Sequence, residues 1–210
     1  YVAVRCGAGT TPAMKRTYAN TTASFPYTVG TGVQEMETLI LSGDLITDLG
    51  DLSVFYPNEL EFSRATRLKN LKIGDNTVGY SNPNLVTLDV SNSALLEKID
   101  CRNCPNLAIT VNLEGSPRLK EAYFEGTSIT GIDLADGGAI EKLHLPNTIT
   151  TLTLLNLDKL TDLVVPSYAG ITRLMLANIS PDTIDIITVL EEMPDNSQIN
   201  IQGFQLEAEI

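Results

Sequence analysis

Cys101-Arg-Asn-Cys104 is the one thiol spacing in this chain that invites chemistry. A redox pair of this form works at a strand-to-helix turn, where the attacking thiol is made acidic. Zinc would want four ligands, and only Cys6 and His144 could join the pair. Three cysteines are too few and odd in number for a disulfide framework. Cys101 also closes an apolar triplet described below, which assigns it to the core as a small buried thiol. His144, the one histidine, lies between Leu143 and Leu145, so strand alternation points it outward. No Ser-His-Asp or Cys-His spacing surrounds it, and an exposed surface histidine is expected. Asp44, Asp48 and Asp51, and Asp133 with Asp136, lack the alternating oxygens and sixth-position glycine of a calcium loop. They read as solvated acidic surface. Gly137-Gly138 and Gly7-Ala8-Gly9 lack the partners of a phosphate loop and read as turns. The residues therefore point to no catalytic centre, no metal and no cofactor. A glycan-cleaving enzyme, the weakest alternative, would need facing carboxylates in a cleft.

Composition narrows the partners. Acidic residues outnumber basic ones, 26 to 14, for a net charge of −12 and a pI near 4.4. Nucleic acid is excluded, because phosphate binding needs clustered Lys and Arg. Hydrophobic residues make up 43% but aromatics only 6%, with no Trp, so the expected core is Leu, Ile and Val. No apolar run nears the roughly 18 residues that a membrane helix needs, so no membrane insertion is expected. The chain starts at Tyr1 without a signal-peptide pattern, which suggests a fragment of a longer polypeptide.

What must position these side chains is a repeat. Apolar residues recur at positions 1, 4 and 6 of short units. They are Met36-Leu39-Leu41, Leu68-Leu71-Ile73, Leu85-Leu88-Val90, Leu96-Ile99-Cys101, Leu119-Ala122-Phe124, Ile129-Ile132-Leu134, Ile140-Leu143-Leu145, Ile149-Leu152-Leu154, Leu160-Leu163-Val165 and Ile171-Leu174-Leu176. Leu107-Val111-Leu113 is an imperfect copy with one extra residue. Positions 1 and 6 lie on opposite sides of a helix, whereas 4 and 6 share one face of a strand. Two units make one coil of about 20 to 23 residues, the length of a leucine-rich repeat.

A turn former stands two places after each triplet: Gly43, Asp75, Asn92, Asn103, Gly115, Gly126, Asp136, Asn147, Asn156, Ser167 and Asn178. Gly accepts unusual backbone angles, and Asn, Asp and Ser bond their own backbone. The spacing thus predicts a mainly β solenoid with two short strands per coil, alternate units stacking. One stack holds Ile99/Cys101, Ala122/Phe124, Leu143/Leu145 and Leu163/Val165. The other holds Leu88/Val90, Val111/Leu113, Ile132/Leu134, Leu152/Leu154 and Leu174/Leu176.

Each coil buries its residues only against its neighbours, so both ends need caps. Residues 1–34, with β-type stretches at Tyr1 to Arg5 and Phe25 to Val29, read as a β cap. Residues 35–179 form the solenoid, in which Leu60-Glu61-Phe62 is a degenerate strand. Residues 180–210 read as a helix-strand cap. A helix is predicted over 182–193 from Ser180-Pro181-Asp182, then a strand from Gln198 to Leu206. All three parts belong to one continuous domain.

Outward positions of the first stack form two rows. Asp100, Tyr123, His144 and Val164 occupy one, and Lys98, Glu121, Lys142 and Asp162 form the other with alternating sign. The candidate partner-binding face is Lys98, Asp100, Glu121, Tyr123, Lys142 and His144, with Tyr123 as its aromatic anchor. The opposite row, Asp89, Asn112, Asp133, Thr153 and Met175, is small or acidic.

The strand pair Leu85 to Asn92 and Leu96 to Asn103 resembles the short repeats of internalin-type bacterial leucine-rich-repeat surface proteins. It departs from them in the turn, where the usual Asn or Cys three places after the last strand Leu is present only as Asn76 and Cys104. A closer likeness lies in the phrases VRCGAGT, LGDLSVFYP, IGDNTVGYSNPNL, RNCPNL, FEGTSITG, EKLHLPNTITTLT and IQGF. They resemble the leucine-rich segment of very long tail-associated proteins of gut bacteriophages and prophages. This implies a virion component, a non-enzymatic module of a tail or host-contact protein. Its partners would be other virion proteins or a host-surface protein or glycan. The alternative is a bacterial cell-surface adhesin on the same repeat. The residues leave the oligomeric state open.

Overall fold

A computed structural model describes residues 3–6, 36–42, 47–49, 57–62, 65–74, 82–90, 93–108, 113, 116–134, 138–180 and 182–203. Its strands are β1 (Ala3–Cys6), β2 (Met36–Ser42), β3 (Asp48–Leu49), β4 (Pro57–Glu61), β5 (Asn70–Lys72), β6 (Thr87–Asp89) and β7 (Lys98–Asp100). There follow β8 (Glu121–Tyr123), β9 (Gly131–Leu134), β10 (Lys142–His144), β11 (Thr151–Leu157), β12 (Asp162–Val164) and β13 (Arg173–Ile179). A short helix α1 (Ile186–Glu192) and β14 (Gln198–Gln202) close the order.

The strands wind into a parallel β-solenoid. One sheet takes every second unit, in the order β3-β5-β7-β8-β10-β12. The intervening units make the other side, as β1-β2-β4-β6 and, beyond residues 109–112, β9-β11-β13-β14. Among the described residues pairing is parallel except between β1 and β2, where Ala3 faces Ser42 and Cys6 faces Leu39. The antiparallel β1 is the described part of residues 1–34; Phe25 to Val29 and Val111 lie outside the described residues.

Both expected stacks are present. Leu71, Ile99, Ala122, Leu143 and Leu163 face one another across five strands. Ile132, Leu152 and Leu174 do so on the other side, and Leu60 pairs with Leu88. All three triplet positions point inward: Leu96, Ile99 and Cys101 are buried, as are Ile149, Leu152 and Leu154. Each such aliphatic side chain contributes roughly 1.5–3 kcal/mol relative to exposure. Hydroxyls tie coil to coil. Thr150 donates to the Thr130 carbonyl (3.1 Å), Thr172 to that of Thr150 (3.3 Å), and Thr183 to that of Leu160 (2.8 Å).

The turn column does what its composition predicts at Asn103, Gly126, Asn156 and Asn178, whose φ values are 57, 73, 58 and 54°. This left-handed region is open to Gly and tolerated by Asn. Asn147 and Ser167 keep negative φ, and both follow a proline, Pro146 and Pro166, that shapes the turn instead.

At the C-terminal end α1 takes the place of a strand and buries Ile186 and Val189. It begins later than the sequence predicts. Asp185 is the N-cap, its carboxylate accepting from Ile187 N (3.0 Å) and Thr188 N (3.4 Å) and from the Thr188 hydroxyl (2.8 Å). Residues 182–183 form a turn before it, with Thr183 N–H donating to the Ser180 carbonyl at 3.0 Å. The final strand runs Gln198–Gln202, with Leu174 facing Ile199 and Leu176 facing Ile201. Residues 204–206 lie outside the described residues.

Candidate functional site

Parallel, in-register strands bring the six candidate residues together. Lys98, Glu121, Lys142 and Asp162 face one another in one row; Asp100, Tyr123, His144 and Val164 do so in the next. Each row follows from strand alternation.

The first row is a ladder of charge. Lys98 Nζ donates to Glu121 Oε2 at 2.7 Å, and Lys142 Nζ lies 3.7 Å from Glu121 Oε1. The Lys98 hydrogen bond holds the Glu121 carboxyl below its usual pKa, against the opposing effect of burial. A second ladder runs beside it from residues the rows above did not include. Glu97 meets Lys69 at 3.9 Å and Lys120 at 3.4 Å. The lysine side chains remain 43–49% exposed, so each pair is worth about 0–1 kcal/mol.

The second row keeps its outward register, yet two members are covered. Asp100 is only 3% exposed. Arg102 grips it in a fork, Nε to Oδ1 at 2.9 Å and Nη2 to Oδ2 at 2.6 Å. Tyr123 is 9% exposed and is therefore no open aromatic anchor. The Arg102 guanidinium lies 4.9 Å and the Lys98 ammonium 5.1 Å from its ring centroid. Its hydroxyl donates to Glu121 Oε2 (3.1 Å). Burial, then the neighbouring Glu121, pushes the Tyr123 phenol up to about 12.

His144 is less exposed than a surface histidine, at 19% of its side chain. Nδ1 is 2.7 Å from Glu125 Oε1. Nε2 lies 3.2 Å from Asp162 Oδ2, but off the angle of a hydrogen bond and shielded from solvent. Its ring meets Tyr123 edge-on.

Arg102 and Glu125, which engage Asp100 and His144, were legible in principle. Each directly follows a triplet and shares the outward parity of the strand before it. Cys101 and Cys104 are buried free thiols, so the pair belongs to the core. Burial drives both thiol pKa values up, that of Cys104 to about 11. Among the described residues no group of three His, Cys, Asp or Glu side chains is placed to hold a metal, and no helix is long and apolar enough to cross a membrane. Asp133 is exposed; the side chains of Asp44, Asp48, Asp51 and Asp136 lie outside the described residues.

On the other side of the coil the outward row is Asp133, Thr153 and Met175, extended by Asn200; Asp89 faces Glu61 in the separate β1-β2-β4-β6 sheet, and Asn112 lies outside the described residues. Asn178 Nδ2 donates to Asn156 Oδ1 at 2.7 Å along its rim. No family model, curated protein or solved structure matches the chain.

Proposed function

We propose that this chain is a non-enzymatic structural and interaction module of a bacteriophage virion, in its tail or host-contact apparatus. Its charged sheet would be the face that meets another virion protein or a host-surface protein or glycan. One observation carries the second part. Lys98, Glu121 and Lys142 alternate in sign across three in-register strands, with their charged ends in reach of solvent. A partner of complementary alternation would exchange these pairs rather than strip them, and each exchange costs little because exposed pairs are weak. Asp100 and Tyr123 would act beneath that surface, holding Arg102 and Lys98 in place. The phage parentage rests on the likeness of the phrases quoted above.

The test has two arms. Mass spectrometry of purified particles from a phage or prophage encoding the chain should find it in the virion. A Lys98→Gln, Lys142→Gln double variant should then bind its virion or host partner about tenfold more weakly or worse, with at most a small fall in melting temperature, because exposed pairs are weak. Absence from particles would remove the virion assignment. Full binding by the double variant would remove the face.

A further inference from the structure

The solenoid's two sheets end differently at the C-terminal side. The sheet that ends at β12 has a three-residue edge carrying Asp162 and followed closely by Pro166. Charge, shortness and proline are the usual means of keeping a strand edge from pairing. The sheet that ends at β14 has none of them. β14 is five residues long, uncharged, and the last strand of its sheet among the described residues. Exposed apolar surface concentrates in the same coil. Of the five large apolar side chains exposed among the described residues, three are Ile187, Leu190 and Ile199.

The β14 sequence reads the same in both directions: Gln198-Ile199-Asn200-Ile201-Gln202. We propose that β14 is a self-pairing edge, through which two copies of this chain join antiparallel about a two-fold axis at Asn200. The backbone supports this register. Gln198 N–H donates to Thr172 C=O at 2.8 Å, so by alternation Gln198, Asn200 and Gln202 point their backbone groups at β13. Ile199 and Ile201 then point theirs at the open edge. Across a two-fold axis at Asn200, Ile199 faces Ile201 of the second copy, and both have free edges to offer. Such a pair exchanges both N–H···O bonds. Asn200 faces its own counterpart, and Gln198 faces Gln202. The side chains match as well. Ile199 and Ile201 sit on the inward row of Leu174 and Leu176, so the apolar layer would continue from one copy to the next, covering Ile199. Gln and Asn would pair with their like on the outer face. A partner strand of arbitrary sequence would not meet all five positions in kind, which favours a second copy. The contact is isologous and closes at two.

The proposal is tested on the 210-residue chain. Sedimentation should show a concentration-dependent monomer–dimer equilibrium, and the Ile199 and Ile201 amides should gain exchange protection as dimer forms. Ile199→Lys should abolish dimerisation and leave a melting temperature that no longer depends on protein concentration. Should that variant fold poorly, cysteine placement still decides. Asn200 faces itself at a Cα separation of about 4.5 Å in this register, within disulfide range. Asn200→Cys should therefore cross-link efficiently on oxidation, and Gln198→Cys should cross-link several-fold less. A monomer at every concentration would overturn the proposal. So would equal protection of both amides in dilute monomer, which would put another segment of the chain on the edge. Cross-linking of Gln198→Cys in preference to Asn200→Cys would overturn it too.

Discussion

Tyr123 and His144 stand at matched positions of adjacent strands and meet edge to face, their ring centroids 4.9 Å apart and their planes at 79°. The separation is that of neighbouring strands; the tilt is the favoured arrangement for aromatic pairs. Both rings are also anchored by acids, Tyr123 by Glu121 and His144 by Glu125. This pair joins two coils, and its Tyr123 ring forms the floor under Lys98 and Arg102.

Removing Tyr123 should therefore be felt mainly as lost stability. Tyr123→Ala should cost about 3 kcal/mol, as for other buried aromatics. Tyr123→Phe, which loses one hydrogen bond, should cost about 0.5–1.5 kcal/mol. A double-mutant cycle with His144→Ala should give a coupling of about 0.5–1.5 kcal/mol. Denaturant titrations of Tyr123→Phe and of the four proteins of the cycle check this, and additive losses in the cycle would mean that the rings do not interact.

Stability should fall at both ends of the pH scale. Glu121, held down by Lys98, and Asp185, held down by its bonds to Thr188, have folded-state pKa values below the usual carboxylate range. Their contribution is present above that range and is lost as pH falls through the lowered values. Tyr123 and Tyr168 are both raised by burial to about 12. Their contribution is complete below about 10 and disappears as pH rises through about 12. Thermal melts across pH should show a plateau between the two limbs. In Tyr123→Phe the alkaline limb should shrink.

Much of this was legible in the sequence because a solenoid writes its period into the chain. The 1-4-6 triplets located the strands that carry them, and the turn column located the left-handed corners. What broke the period was harder to see. Asn196 stands where the last coil's first apolar residue would be, so the triplet pattern does not reach Ile199, Ile201 and the left-handed Gly203 (φ 85°). β3 bears no full triplet either. In the candidate site, alternation fixed the rows but not the cover. Whether Asp100 and Tyr123 reach solvent depends on how Arg102 folds back from its turn, a side-chain choice with no periodic signature. Ser180-Pro181-Asp182 and Asp185 both fit the capping pattern, so the helix start is ambiguous in the sequence. Only Asp185 has amides in place to accept from.

The left-handed corners predict an ordering of substitutions. At Asn156 (φ 58°) both Gly and Ala lose the bond from Asn178, and Ala should cost about 1–2 kcal/mol more than Gly from backbone strain. The same order is expected at Asn178. At Asn147, whose φ is not positive, Ala and Gly should not show this order. Chemical denaturation of the six variants measures it.

The cysteine pair should behave as core. Cys101→Ala should cost about 1 kcal/mol, the packing of a small side chain. Gly74→Ala should cost more, about 3 kcal/mol, because a Cβ there would stand 2.0 Å from the Arg102 carbonyl oxygen. Native Cys101 and Cys104 should resist alkylation at neutral pH and react fully in denaturant, as peptide mapping would show. Unfolding by reductant or by a chelator would contradict the assignment.

The central claim, that the charged sheet is the face through which this chain meets its neighbours in a virion, is tested most directly by amine-reactive cross-linking on intact particles. Lys98 and Lys142 have 43% of their side-chain surface in solvent, so both can be captured. The account predicts cross-links from Lys98 and Lys142 to a second virion protein, or to a host-surface protein after adsorption. Particles in which both lysines are modified yet linked to no partner, while Asp133 and Thr153 on the opposite side map into a protected interface, would contradict it.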